Sequence, residues 1–545
     1  MGSAPSAATS VHELDIDLES AQSPSASPSL SDSKSHSPPP PRPESRASTT
    51  FAVPVVPKHL RRGLFARFAL IPETPQPTLY TRRTKWSITA LIALCAAAAP
   101  MGSAIIMPSL LIIASDFNSS PTVTNLAVAL YMLSMSIFPL WWSSFSETLG
   151  RRTIYVVSFT LFVLFSILSA VSNSIGMLIV MRVLSGGAAA SVQAVGAGTI
   201  ADIWEPRERG RAMGIFYLGP LCGPLFAPII GGALAQGLGW RSTQWFTAIY
   251  GAVVLAALIF LLPETLRQKE VKMPEAKEEK ERPSASLRRT TTAVSVVQGT
   301  KRTAAILRRC FLDPLRIILL LRFPAVAITV YYASITFGSL YFLNISVEET
   351  FSDPPYGFST LIVGLCYIPM SVGYILASVG GGRWLDHIMK REARKADRID
   401  ADGKLIFRPE DRMRENAWMS AVMFPLALVW YGWSAEKHTH WIVPLIANFF
   451  FGLGSMIVFA MATTMLTEFM PRKASTGIAV NNFVRNIFSC VGGIVAHPLI
   501  KALGNGWLCT ILAIVALISG CVVIWAMKHY GDRWREEMDR KMEDW

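Results

Sequence analysis

The sequence predicts an all-α membrane protein, twelve transmembrane helices in two six-helix bundles. Three observations carry that expectation. Of 545 residues, 51% are hydrophobic and 16% charged, against about a quarter charged in soluble domains, and the mean hydropathy is +0.37. Apolar runs of about 20 residues, the length that crosses a bilayer, recur twelve times along the chain. Lys and Arg gather in every second loop, the alternation that the positive-inside rule demands.

The same observations exclude other classes. The net charge of +13 resides between apolar runs and forms no aromatic-plus-basic module, so no nucleic-acid partner is expected. Seven cysteines are scattered singly, without the spacing of a metal site or a disulfide framework. No G-x-x-x-x-G-K-[ST] loop is present, so work must be driven by gradients rather than ATP. No nucleophile and base are paired, and neither an enzyme nor a cofactor is expected.

The elements follow in order. Residues 1–58 are rich in Ser, Pro and Ala, include SPPPPRPES, and read as a disordered cytoplasmic tail without a signal-peptide core. The first bundle is expected over 80–263, with runs near 86–114, 122–144, 153–173, 176–201, 212–235 and 243–262. RRTKW, GRR and EPRERGR precede its odd-numbered runs. A charged central loop, 264–322, separates it from the second bundle, 323–528. The runs there lie near 323–345, 358–382, 417–434, 441–467, 474–499 and 507–527, and a cytoplasmic tail, 529–545, ends the chain. Loops such as DFNSSPT and EETFSDPP are short and poor in cations, which places the sequons at Asn118 and Asn344 outside as glycosylation candidates. SETLGRR after the second run is echoed by GGRWLDHIMKR, with Asp386, after the eighth, an internal repeat of acid before basic pair.

Four stretches carry mechanism. In SSFSETLGRR, Glu147 precedes Arg151 and Arg152, and Asp202 ends the fourth run. A carboxylate facing an arginine across helix ends can latch two halves in one state and release them in another. In RVLSGGAAASVQA, Arg182 sits inside an apolar run. Such an arginine faces a water-filled path, or bonds backbone carbonyls and joins helices, because lipid exposure costs several kcal/mol. GPLCGPLFAPIIGG holds Gly223, Pro228, Gly231 and Gly232, which allow close backbone approach and bending. NNFVRN places Asn481, Asn482 and Arg485 midway in the eleventh run. Tyr131, Gln193 and Tyr331 are further candidates for polar lining.

These stretches, in this order over about residues 80 to 530, resemble the major facilitator superfamily, and within it the twelve-span fungal drug:proton antiporters. SSFSETLGRR is similar to the loop signature G-x-x-x-D-x-x-G-R-R, with Ser143 and Glu147 in place of its Gly and Asp. Arg182 and Gly186 match the fourth-helix R-x-x-x-G. The fifth run matches the antiporter motif G-x-x-x-G-P-x-x-G-G, with Ala227 replacing a Gly, and LPET at 262–265 is a further match. The resemblance implies alternating access at the plasma membrane by a monomer that moves a small organic molecule against protons. The charges add a preference. Two arginines at membrane depth without a mid-span acid favour organic acids or secondary metabolites, with Arg182 and Arg485 as contacts. Broad drug or polyamine export is the alternative, and nutrient uptake or a non-transporting receptor a weaker one. Without an embedded acid, Glu147, Asp202, Glu468 or the substrate's own carboxylate is left to carry the proton.

Overall fold

The structure, a computed structural model, describes residues 55–266, 313–398, 414–469 and 474–543. The expected N-terminal tail up to 54 and the central loop from 267 to 312 lie outside the described residues. All regular elements among the described residues are helical. The spans are α1 (Arg82–Asp116), α2 (Pro121–Leu149), α3 (Arg151–Ala170), α4 (Ile175–Ile203), α5 (Pro206–Leu238) and α6 (Arg241–Leu261). The second half holds α7 (Pro324–Ser352), α8 (Thr360–Leu365 continued by Ile368–Lys395), α9 (Glu415–Glu436) and α10 (Ile442–Phe469). The last helix, Ala474–Glu543, breaks at Gly504, where φ is 75°, and so supplies α11 (474–503) and α12 (505–543). The fold is the expected all-α membrane architecture.

Ten of the described helices are long and apolar enough to span, counting the broken last helix once. Only α9 escapes that criterion, because Trp418, Trp430, Tyr431 and Trp433 rank low on hydropathy scales although they suit a membrane interface. Local chemistry sets the helix starts. Thr81, Ser120 and Ser174 accept hydrogen bonds from the amides of Thr84, Val123 and Met177, while Pro121, Pro206 and Pro324 open their helices where no amide is needed.

Residues 55–80 form a strap of short 3-10 turns; the sequence reading left 59–79 unassigned and counted 55–58 in the disordered tail, which the bond from the Val56 amide to the Glu73 carbonyl instead holds in place. Arg62 pairs with Glu73 at 2.7 Å and donates to the Leu266 carbonyl, and the Leu70 amide donates to the Phe260 carbonyl of α6. We call the end of the molecule holding this strap and Arg151 the basic end, and the opposite one the distal end.

The glycines of α5 set the packing between helices. Gly219, Gly223 and Gly231 recur every fourth or eighth residue along one ridge, and a methyl on any of them would press into the backbone of α1 at Ala93, Met101 or Ile105. Gly232 turns to the other half, where a methyl would meet the Thr360 carbonyl of α8, and Gly364 of α8 lies as close to the Pro228 carbonyl. Gln236 accepts from the Leu361 amide at 3.1 Å beside them. At the basic end the same two helices part, and Gly214 of α5 and Gly380 of α8 face open space. The halves therefore touch distally and separate at the basic end.

Candidate functional site

Arg182 of α4 is 1% exposed. Its Nε donates to the Ala127 carbonyl of α2 at 2.9 Å, Nη2 to the Gly102 carbonyl of α1 at 2.9 Å, and Nη1 to Gln244 of α6 at 3.4 Å. The guanidinium lies 4.8 Å from the centre of the Tyr131 ring, whose hydroxyl donates to Ala99. The expectation that Arg182 and Tyr131 contact substrate is corrected for this conformation, because all these partners lie in the first half and leave no face open. Arg182 joins four helices.

The cluster expected to latch the halves is likewise internal to the first one. Arg151 pairs with Asp202 of α4 at 3.2 Å and donates to Ser146 at 2.6 Å. Arg152 is fully buried and spends its guanidinium on the carbonyls of Leu64 and Phe65 in the strap and of Leu258, Ile259 and Leu262 at the end of α6. Glu147, expected to face an arginine, is exposed and makes no ion pair among the described residues. Its side chain faces solvent at the basic end, where Gly214 of α5 and Gly380 of α8 also meet open space. The sequence reading missed the acid that organises this end. Glu264, from LPET, accepts from the amides of Arg151 and Arg152 at 3.0 and 3.2 Å and from those of Thr265 and Leu266 at 2.9 Å. Gly150, at φ 96°, gives it room. Burial pushes the Glu264 carboxyl up from its usual range, and the amides of Leu266, Arg151 and Arg152 draw it back. In the second half Arg391 of α8 pairs with Glu415 of α9 at 3.0 Å; the side chain of Asp386 lies outside what is described.

Arg485 of α11 sits between the halves. Its guanidinium stacks 4.3 Å from the centre of Phe337 of α7 and 5.7 Å from Phe459 of α10. Tyr341 of α7, Tyr374 of α8 and Tyr217 of α5 lie within electrostatic range of the charge, so both halves contribute. Arg485 Nε is buried without a hydrogen-bond partner, as are Asn481 Oδ1 one turn before it and Ser489 Oγ one turn after. Spacing of four residues aligns these three on one face of α11. Phe337 and Tyr341 share that spacing on α7, a signal the sequence reading did not use. Gln193 and Asn482 are half-buried. Tyr331 is corrected: it is 45% exposed, points its hydroxyl at Ser519 of α12, and leaves the cage to its neighbours on α7. Asn344 is corrected too. It is 8% exposed within α7, where no glycosylating enzyme reaches it, whereas Asn118 is exposed in the turn after α1.

A family model described as Major Facilitator Superfamily matches residues 92–493. The chain belongs to the major facilitator superfamily. Within it, the transporter falls in the fungal drug:proton antiporter branch. It is 35% identical to the MFS antiporter QDR3 of Candida albicans, over 90% of this chain and 84% of that one. It is 32% identical to quinidine resistance protein 3 of Saccharomyces cerevisiae, over 89% and 88%, and 47% identical to the MFS transporter OpS2 of Beauveria bassiana, over 65% and 99%. Among solved structures the transporter resembles a D-xylose-proton symporter, with a TM-score of 0.58 and 16% identity over 80% of this chain and 97% of that one. It also resembles the human organic anion transporter MFSD10, with a TM-score of 0.54 and 14% identity over 82% and 100%. At those identities the likeness concerns the fold. The chain is thus a multi-pass membrane transporter for small molecules and not an enzyme.

Glu264 gives this transporter a testable weak point. Glu264→Ala strands four buried amides, which should cost on the order of 2–4 kcal/mol. Thermal unfolding of the detergent-solubilised protein should show a clearly lowered midpoint, and an unchanged midpoint would refute the anchoring role.

Proposed function

We propose that the transporter exports small organic molecules bearing a carboxylate, organic acids or secondary metabolites, in exchange for protons across the plasma membrane. Arg485 carries this reading. It is a cation at membrane depth with no carboxylate paired to it among the described residues, one unused donor, and aromatic walls from both halves. A guanidinium in that setting takes a planar carboxylate, and the surrounding rings take the apolar body of the same molecule. Proton exchange comes from the relatives named as antiporters, and the fifth-helix motif favours export over uptake. The cation-rich loops favour a cytoplasmic place for the basic end and both termini, and on this reading a monomer opens its cage toward the cytoplasm. The two six-helix halves rock about that cage.

The second reading is export of cationic drugs. The name of the yeast relative and the ring-lined cage favour it, since aromatic faces also bind cations. Export from cells carrying or lacking the protein, with benzoate and larger aromatic carboxylates set against cationic dyes under varied pH gradients, separates the two. Carboxylate export that steepens with the gradient is the expected result. Export of the dyes alone would overturn the anion reading.

A further inference from the structure

The distal end of α7 carries two adjacent carboxylates, Glu348 and Glu349, with different partners. Glu349 Oε1 lies 2.5 Å from Nδ1 of His497 on α11, and the two side chains are 12% and 9% exposed. Glu348 is 2% exposed, and its Oε1 accepts from the Leu111 amide of α1 at 3.2 Å, so this bond crosses between the halves. One turn toward the centre on the same face of α7, Asn344 is buried with Oδ1 unpartnered, and its carbonyl accepts from the Tyr367 hydroxyl of α8. A further turn leads to Tyr341 beside Arg485. The other titratable or charged groups facing the two acids are Asp353 just past α7, Lys501 of α11 and Tyr367. Glu436 of α9 is engaged by the amides of Asn505 and Gly506 nearby.

We propose that Glu348, Glu349 and His497 form a proton-binding site whose occupancy closes the distal end. The proposal rests on the proton-coupled reading above. One proton lies between Glu349 Oε1 and His497 Nδ1. A second comes from water at the open distal end and forms an O–H bond on the Glu348 oxygen that does not face Leu111. Closing then carries a neutral acid into the dry seam, and Oε1 still accepts from the Leu111 amide. Closing with that proton absent would bury an ionised carboxylate opposite a single backbone amide, with Asp353 adding repulsion, at a cost of several kcal/mol. The proton thus decides whether the transporter can return to the cytoplasm-facing state. The bond that reports its presence is the one holding the two halves together at this end.

The test needs no substrate, so it can fail while the exporter reading stands. Spin labels at Leu238→Cys of α5 and Trp507→Cys of α12, both exposed at the distal end, replace the native cysteines in an otherwise cysteine-free protein, and pulsed dipolar spectroscopy reads the separation. From about pH 8 to about pH 5 the closed population should grow, at most tenfold per pH unit for each coupled proton. Glu348→Gln should hold the end closed at every pH, and His497→Gln should flatten the response by itself if the first variant does not fold. Asp116→Asn, an exposed acid at the same end paired with Arg241, should keep the full response. A pH-invariant separation in the parent protein, or a full response surviving both Glu348→Gln and His497→Gln, would overturn the proposal.

Discussion

Replacing Arg485 with glutamine should abolish carboxylate export while leaving the protein in the membrane. Removing one partner of a buried, hydrogen-bonded charge pair costs about 2–5 kcal/mol, which is roughly thirtyfold or more in affinity. The loss should appear as a raised KM for an aromatic carboxylate, because the guanidinium binds the substrate before either gate moves. Arg485→Lys keeps the charge but loses the planar stack on Phe337 and the forked donors, and should fall between the two. Folding should suffer little, since Arg485 Nε has no protein partner to lose. Carboxylate export by Arg485→Gln at the parent rate would end the anion reading.

Arg182→Met should have the opposite profile. The guanidinium donates to the Ala127 and Gly102 carbonyls and to Gln244, and each bond to a charged donor contributes about 1.5–3 kcal/mol. Methionine fills the volume but satisfies none of these acceptors, so the net loss should be on the order of 3 kcal/mol. Detergent-solubilised protein should melt well below the parent, and cells should hold less of it. The fraction that does fold should keep its KM for the carboxylate within about twofold, a shift below 0.5 kcal/mol. An unchanged melting temperature with a raised KM would instead return Arg182 to the substrate path.

What was legible in the sequence follows from what lipid dictates. Bilayer thickness fixes span length and loop charge fixes alternation, so the helices could be read off the chain, α9 included, although its tryptophans depress its hydropathy. The cost of Arg182 was equally legible, but not its resolution: carbonyls at Ala127 and Gly102 are backbone groups that every residue carries, and only packing shows which are within reach. The aromatic cage was hidden for a related reason. Phe337, Tyr341 and Phe459 look like ordinary membrane-helix residues until α7 and α10 are set beside α11. Glu348 and Glu349 were read as part of the loop EETFSDPP, whereas α7 continues through them to Ser352 and its distal contact with α1 buries Glu348. The strap of residues 55–80 has no apolar period at all, and its order comes from individual bonds, Arg62 to Glu73 and Leu266, Leu70 to Phe260, and Arg152 to Leu64 and Phe65.

That strap, together with Glu264, has a mechanical meaning. The chain leaves the first half at Leu266, whose amide is held by Glu264 and whose carbonyl is held by Arg62. The near end of the inter-half tether is therefore riveted to a frame that includes the starts of α3 and α1 and the end of α6. In the rocking proposed above, the first half would carry this anchorage with it as one frame. The bonds of Glu264, Arg62 and Arg152 would then keep the anchorage intact while the seam along α5 takes up the movement.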